Sequence, residues 1–458
     1  MGTLMDRTTS PSRMHLRRLS AMAIAVCTIL VLALWGCVTA PSPSATSTPQ
    51  PPVAIESPVA PPVDVSAPPP SDSPLPDLTN AQLVARSWTA YRARFIQADG
   101  RVIDWEANAR TVSEGQAYGL LLAVWNDDPD TFDLVLGWAE RHLQRTTERL
   151  AADADRYPSP DSQTEPVEPP PADRLWAWKW EQRSDGSWGI VDTNFATDAD
   201  VDAVTALILA ARRWHRPDYE QLALAKLDDI WNLGTIAVTD SDRRYLLPGP
   251  EAPFRNPNGI LILNPSYVAP YAFRLFDLVD GDRDWGKLVE GSYRLLTEAS
   301  SLSAVNLPGN WVGFSDRTER YVPLSTAGSL SSRYGFDAIR VWWRLVLDAR
   351  WFGEPRAVAY LNTHLTHLQH LWRSQQAIPA EIDLSGIALA DFESTAQYGM
   401  LYAAFALVDP DIAADIRQQK LLPQYRDGIW ENNSAYYTQN LVAFGLLASE
   451  PPPASLAR

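Results

Sequence analysis

The chain has 458 residues, 46% of them hydrophobic, enough for a sizeable core. Its 39 Lys+Arg stand against 55 Asp+Glu, a net charge of −16, and a field of that sign repels phosphate backbones and argues against a nucleic-acid partner. The two cysteines, Cys27 and Cys37, both lie near the N-terminus, so the body has neither a disulfide framework nor a cysteine metal site.

The first 40 residues read as an address. Arg13, Arg17 and Arg18 precede the uncharged apolar stretch Ala21–Trp35. That stretch is short for a bilayer span, which needs about 20 residues, and suits the apolar region of an export signal. Leu34-Trp35-Gly36-Cys37 has the form of a lipobox with Cys37 as the lipidated residue. A lipoprotein, an uncleaved anchor and a freely secreted protein are the open readings. All three put the body outside the cytoplasm, in the periplasm, on the envelope or secreted, and the membrane is met only through this segment. Residues 41–76 are rich in Pro and Ser and form an extended spacer without a core. The residues after position 40 carry 35 basic and 54 acidic side chains, a net of −19.

From residue 77 to about 450 the apolar residues recur mainly at helical spacing. Helices near 79–98, 129–147, 218–232, 284–301, 354–375 and 410–420 are amphipathic. In one of them Phe132, Leu136, Ala139 and Leu143 form a stripe, with Asp130, Asp133, Glu140 and Arg141 elsewhere. Six more, starting near Ser113, Thr197, Asn264, Ser332, Phe392 and Asn433, are apolar nearly all round, as in Gly119–Val124 and Ala203–Ala211. All-round apolar helices are buried helices. Six buried helices alternating with six half-exposed ones predict an all-α, single-domain (α/α)6 barrel. A Pro-rich stretch, Tyr157–Pro171, is expected as a surface loop within an insertion at about 152–173, and 451–458 as a tail.

The buried helices carry polar and aromatic residues at their N-terminal ends, which a barrel would gather at one rim: Ser113–Gln116, Thr197–Asp200, Asn264–Tyr267, Tyr334–Asp337, Glu393–Thr395 and Ser434–Tyr437. A plain reading exists for the acids. Ser113 with Gln116 fits a capping box, Thr197 with Asp200 a similar cap, and Asp337 with Arg340 a surface pair. Against it, Tyr118, Gly119, Phe195, Phe336 and Trp342 surround these acids with apolar bulk. A buried acid must be paired, neutral or functional. His364, His367 and His370 advance by 60° steps around a helix and do not converge on one ion, so no metal and no cofactor is expected.

Several segments together resemble glycoside hydrolase family 8. They are TVSEGQAYGLLLAV (111–124), Trp178-Lys179-Trp180, VDTNFATDADVDAVTALILAARRW (191–214), LLPG (246–249), NPSY (264–267), Asn310-Trp311, DAIRV (337–341) and AYYTQNLVAFG (435–445). They occur in the family's order, and the similarity is greatest to members encoded together with bacterial cellulose synthase. The resemblance implies an inverting endo-β-1,4-glucanase on an (α/α)6 barrel. Glu114 matches the general acid, Asp337 the general base, and Asp198 a third acid, sometimes labelled the nucleophile, that positions sugar and water. Trp178, Tyr267 and Trp311 match cleft-lining positions. Tyr118, Asn264, Tyr334 and Arg340 complete the expected substrate site. Phe336 stands where the family often has Tyr, and Trp342-Trp343 where Pro-Trp is common, so Tyr334 is expected to supply the missing hydroxyl. A β-1,4-linked polysaccharide is the implied partner, with a cellulose synthase complex as a further one, and a monomer is expected. A chitosanase, xylanase or mixed-linkage glucanase of the same family, or a non-catalytic polysaccharide-binding envelope protein, is the alternative.

In inverting hydrolysis one carboxyl must be protonated and one ionised, about 6.5–9.5 Å apart. Glu114 sits at a helix N-terminus, where the dipole favours the anion, so burial and the charges of Asp198 and Asp337 are expected to outweigh it.

Overall fold

The computed structural model describes residues 78–150, 172–238, 243–256, 258–325 and 330–451. The leader 1–40 with Cys37, the linker 41–76, the stretch Tyr157–Pro171 and the tail after residue 451 lie outside the described residues. Among the described residues no helix is long and apolar enough to cross a membrane.

The chain is mostly helical. Among the described residues six helices bury nearly their whole circumference: α2 (Ser113–Trp125), α4 (Thr197–Trp214), α6 (Pro270–Asp277), α8 (Arg340–Phe352), α11 (Thr395–Val408) and α13 (Tyr436–Ala448). Each packs on the next, α2 on α4, α4 on α6, α6 on α8, α8 on α11 and α11 on α13. α13 returns to α2, where Tyr118 meets Phe444 edge-on at 5.2 Å. Behind them lie α1 (Asn80–Phe95) on α13, α3 (Pro129–His142) on α2 and α5 (Pro217–Leu233) on α4. α7 (Gly286–Ser300) backs α6, α9 (Pro355–His364) backs α8 and α12 (Pro410–Ile416) backs α11. This second set has one apolar face: α3 buries Phe132, Val135, Leu136, Trp138 and Ala139 and leaves Asp130 and Asp133 outside.

Helix starts follow local chemistry. Thr79 and Gln82 form a reciprocal capping box at α1, and Asp128 accepts from Thr131 N at α3 (3.1 Å). Proline occupies the first position of α3, α5, α6, α9 and α12, where its missing N–H costs nothing. Pro270 delays α6: Asn264–Tyr267 instead make a turn, with Asn264 Oδ1 accepting from Ser266 N (2.9 Å) and Oγ (2.8 Å). α8 likewise begins at Arg340 rather than near Ser332, because residues 331 and 333 pair with Trp311 and Asn310. The expected helix over 354–375 breaks at Leu365 into α9 and α10 (Thr366–Gln375).

The expected capping box at Ser113 does not form. Val112 is the cap residue, and no side chain caps α2. Gln116 turns away, accepting from Val102 N (2.6 Å) and donating to the carbonyls of Gly100 (3.2 Å) and Val135 (3.1 Å). Thr197 Oγ1 donates to the Leu247 carbonyl and caps nothing. Glu114 and Asp198 are therefore not cap furniture.

Short strands, which helical periodicity conceals, link the helices. β1 (Thr111–Val112), β2 (Ala177–Gln182) and β3 (Trp188–Phe195) form an antiparallel sheet in that order. β4 (Thr235–Ala237) pairs with β5 (Arg244–Leu246). β6 (Ile260–Leu263), β7 (Val312–Ser315) and β8 (Arg320–Val322) form a second three-stranded sheet, and β9 (Tyr425–Arg426) pairs with β10 (Ile429–Trp430). The first sheet matters most: β1 runs directly into α2 and β3 into α4, with Val112 opposite Lys179 and Phe195 opposite Ala177. One sheet thus fixes where both helices start.

α11 and α13 cross at close approach. A Cβ on Gly445 would lie 1.9 Å from the Gly399 carbonyl oxygen, and one on Gly399 would lie 2.7 Å from Val442 Cα. Backbone meets backbone there, so no side chain can yield. Gly445→Ala is expected to lower stability by about 3 kcal/mol, the upper end for overpacking, and a urea midpoint equal to that of the wild type would contradict this packing.

Candidate active site

Glu114 is the second residue of α2 and Asp198 the second of α4, so the β1–β3 sheet sets both. Asp337 arrives from the other side, in the turn before α8. Asn310, on the loop entering β7, pins that turn: its Oδ1 accepts from Asp337 N (3.2 Å) and Ala338 N (2.9 Å). Arg340, the first residue of α8, links two of the acids. Its Nη1 donates to Asp198 Oδ2 (2.8 Å) and to the Tyr118 hydroxyl (3.3 Å), and its Nη2 donates to Asp337 Oδ1 (2.8 Å). Trp311 Nε1 donates to the remaining Asp337 oxygen, Oδ2, at 3.1 Å.

A cleft of about 350 Å³ opens over these groups. Glu114, Asp337, Arg340, Tyr118, Trp178 and Tyr267 line it, together with Phe336, Tyr436, Tyr437, Asp104, Glu106 and Arg110. Asp198 is only 1% exposed and lies behind Arg340 rather than in the lining. Trp311 is not in the lining either: it holds Asp337 and stacks on Phe254 at 6.0 Å.

Two expected residues are elsewhere. Asn264 is buried and spends its Oδ1 on the Ser266 turn. Tyr334 is also buried, and its hydroxyl accepts from Trp342 Nε1 (3.1 Å), so it cannot replace the hydroxyl absent from Phe336. The phenol that stands there is Tyr437, whose hydroxyl donates to the Phe336 carbonyl (2.6 Å). Residues 436 and 437 carried a signal in the sequence, since the polar rim pattern includes them. The 104–110 segment carried none. Its turn, with Arg110 Nε on Asp104 Oδ2 (3.0 Å), has no periodicity to read. His364 places Nδ1 2.6 Å from the Asn306 carbonyl. Among the described residues no group of three or more His, Cys, Asp or Glu is arranged to hold a metal.

The electrostatics separate the acids. Burial raises the Glu114 carboxyl above its ordinary range, against the pull of its helix-terminal N–H and of Arg340. Burial, then the neighbouring Glu114, pushes Asp198 up to about 8. Two close carboxyls out of water titrate as a pair and share one proton. The Arg340 guanidinium contacts Asp198 directly and favours its ionised form, whereas Glu114 has its own helix-terminal N–H and a long contact from Ser113 Oγ (3.4 Å). That contact favours Glu114 as the member of the pair that carries the proton. Asp337, with its side chain 33% exposed and bonded to Arg340 and Trp311, is a carboxylate open to the cleft. The site so brings a buried, raised carboxyl and a partly exposed, hydrogen-bonded one to a single space flanked by aromatic rings.

The family model for "Glycosyl hydrolases family 8" matches residues 75–161 and 170–450. The endoglucanase of Pseudomonas fluorescens (strain SBW25) is 29% identical over 283 residues, 60% of this chain and 63% of that protein. A probable endoglucanase of Novacetimonas hansenii is 30% identical over 258 residues, 56% of this chain and 65% of that one. The chain thus spans just under two thirds of the length of these two relatives. Among solved structures, an endo-1,4-D-glucanase from Vibrio fischeri ES114 superposes with a TM-score of 0.63 at 25% identity, covering 79% of this chain and 93% of that chain.

The shared proton is directly observable. The raised Glu114 carboxyl keeps its proton above the ordinary carboxylate range and loses it only as pH rises through its raised pKa. Difference infrared spectra should therefore show a protonated-carboxyl band at pH 7 that disappears over that window. In Glu114→Gln the band should be absent at pH 7, because Arg340 then holds Asp198 ionised. A band that survives in Glu114→Gln would place the proton elsewhere.

Proposed function

Because the chain belongs to glycosyl hydrolases family 8, we propose that it is an inverting endo-β-1,4-glucanase acting on cellulose or related β-1,4-glucans. The observation that carries the reading is the pairing of a buried Glu114, its carboxyl raised by burial, with an Arg340-held Asp337 in one open cleft. Glu114 donates its proton to the leaving glycosidic oxygen. Asp337 takes a proton from a water that attacks the anomeric carbon from the opposite face. Asp198 stays ionised behind Arg340 and orients it. Trp178, Tyr267, Phe336 and Tyr437 offer rings to the apolar faces of the sugars.

The cyclic neighbour order of α2, α4, α6, α8, α11 and α13, each backed by another helix, supports an (α/α)6 barrel over residues 77–450. The basic and apolar leader supports export, with envelope anchorage through Cys37 as one route. Likeness to members encoded with cellulose synthase supports a role beside that complex.

The test is a substrate panel read by reducing sugar, with product anomers followed by NMR. Carboxymethylcellulose should be cleaved, with the α-anomer appearing first. Glu114→Gln and Asp337→Asn should each lower kcat by about 10³-fold, within the range for a positioned acid or base. Early β-anomer would overturn inversion. Preference for chitosan, whose cationic sugars would suit Asp104 and Glu106, would overturn the substrate. An unchanged rate in Glu114→Gln would overturn the assignment of the acid.

A further inference from the structure

Beneath the cleft the Arg340–Asp198 pair is repeated one helical turn deeper. Arg344 Nη1 and Nη2 donate to Asp202 Oδ1 (2.8 Å) and Oδ2 (2.9 Å) in a bidentate pair, with both side chains no more than 1% exposed. Asp198 and Asp202 are four residues apart on α4, and Arg340 and Arg344 four apart on α8. The two helices therefore face each other through two stacked Asp–Arg rungs. Only the upper rung reaches the cleft. A fully buried ion pair is weak evidence for stability, since an apolar pair of equal volume commonly serves as well.

We propose that Asp202 and Arg344 are positioning residues that act through the upper rung: their mutual neutralisation keeps the proton of the Glu114–Asp198 pair on Glu114 at neutral pH. The inference rests on the glucanase reading for its kinetic arm only. At one turn's separation and in poor solvation, a lone charge at the lower rung would act strongly on Asp198 and, through it, on Glu114. Asp198 already responds to both, Arg344 favouring its ionised form and Asp202 opposing it.

The other groups around the pair do not mask the effect. α2 contributes Tyr118, the turn before α6 contributes Tyr267, and α13 contributes Tyr436 and Tyr437. Burial raises all four phenols, so they are neutral near pH 7. Tyr271 of α6, beside the lower rung, is likewise neutral through burial. Besides Arg340, the charge acting on Glu114 includes Arg110. Lys226 of α5 acts on Asp200.

The sign follows. Asp202→Asn leaves Arg344 uncompensated, favours the ionised carboxyls and moves loss of the proton to lower pH. Arg344→Gln leaves Asp202 uncompensated and moves it higher. Each displacement is expected to be about one pH unit, a modest fraction of the Coulomb energy at this separation. Two readouts apply, the infrared titration of the protonated carboxyl and the alkaline limb of kcat/KM on carboxymethylcellulose, with circular dichroism checking folding. Opposite displacements support the proposal. A limb and a band that stay in place in Asp202→Asn, or that move the same way in both variants, overturn it. Where a single variant fails to fold, the uncharged double variant Asp202→Asn/Arg344→Gln carries the test: its titration must coincide with that of the wild type, and a displaced one overturns the proposal. If the wild type cleaves no β-1,4-glucan, the function reading fails while the infrared titration still decides this one.

Discussion

Arg340 holds two carboxylates with one planar fork. Nη1 reaches Asp198, 142 residues away in the chain, and Nη2 reaches Asp337, three residues away. The two ends of the bridge differ in exposure: Asp198 is sealed and Asp337 is a third exposed. A guanidinium makes this possible because its donors diverge at fixed angles, so locating one carboxylate also orients the other. An ammonium group in the same place would be a point charge without that geometry. Everything described for the cleft depends on the bridge. It ties the α4 end, where one acid is fixed by a sheet, to the α8 end, where another is fixed by a loop. It also favours the ionised form of Asp198 against the burial that raises it.

The backbone delivers these groups by a route that costs little. β1 and β3 belong to one antiparallel sheet and each leads into a buried helix, so a register set by Val112 opposite Lys179 also sets where Glu114 and Asp198 stand. Both acids sit in first turns, where free N–H groups favour a negative charge. For Asp198 this agrees with the guanidinium. For Glu114 it opposes the chemistry, and burial prevails. In the proposed mechanism the same local position yields an anion and an acid, because what surrounds each differs: a guanidinium in contact with one, apolar bulk and a sealed neighbour on the other.

Much of this was legible in the sequence, and the failures have physical causes. Buried helices announce themselves because an all-round apolar run has nowhere else to go, and their alternation with striped helices came through. Strands of two to eight residues at the connections did not, although Asp185-Gly186 between Trp-rich runs is a hairpin signal, and Gly186 indeed takes φ +84°. The starts of α6 and α8 lie six to eight residues later than the apolar pattern suggests. Before α6 a local Asn264–Ser266 turn and Pro270 hold the preceding residues, and before α8 tertiary backbone bonds from Asn310 and Trp311 do so. The capping box read at Ser113 failed because Gln116 found buried carbonyls and a buried N–H that no local pattern encodes. Proximity in the chain also misled the search for the hydroxyl near Asp337. Tyr334 is three residues away and points into the core, whereas Tyr437 is 100 residues away and is in place.

The charge balance of the core bears on catalysis. Four acids and two guanidiniums meet where α2, α4 and α8 converge: Glu114, Asp198, Asp202, Asp337, Arg340 and Arg344. The tyrosines among them are kept neutral by burial. With the proton on Glu114, three carboxylates face two guanidiniums, and the lower rung cancels within itself. The upper group keeps one excess negative charge, spread over Asp198 and Asp337 and partly open to the cleft. An oxocarbenium-like sugar is positive, so a fixed negative site that needs no reorganisation stabilises it selectively over the neutral substrate. Ionising Glu114 would add a second negative charge and remove the proton donor together. The core is therefore built to be one charge short of neutral, and the proposed reaction requires that state.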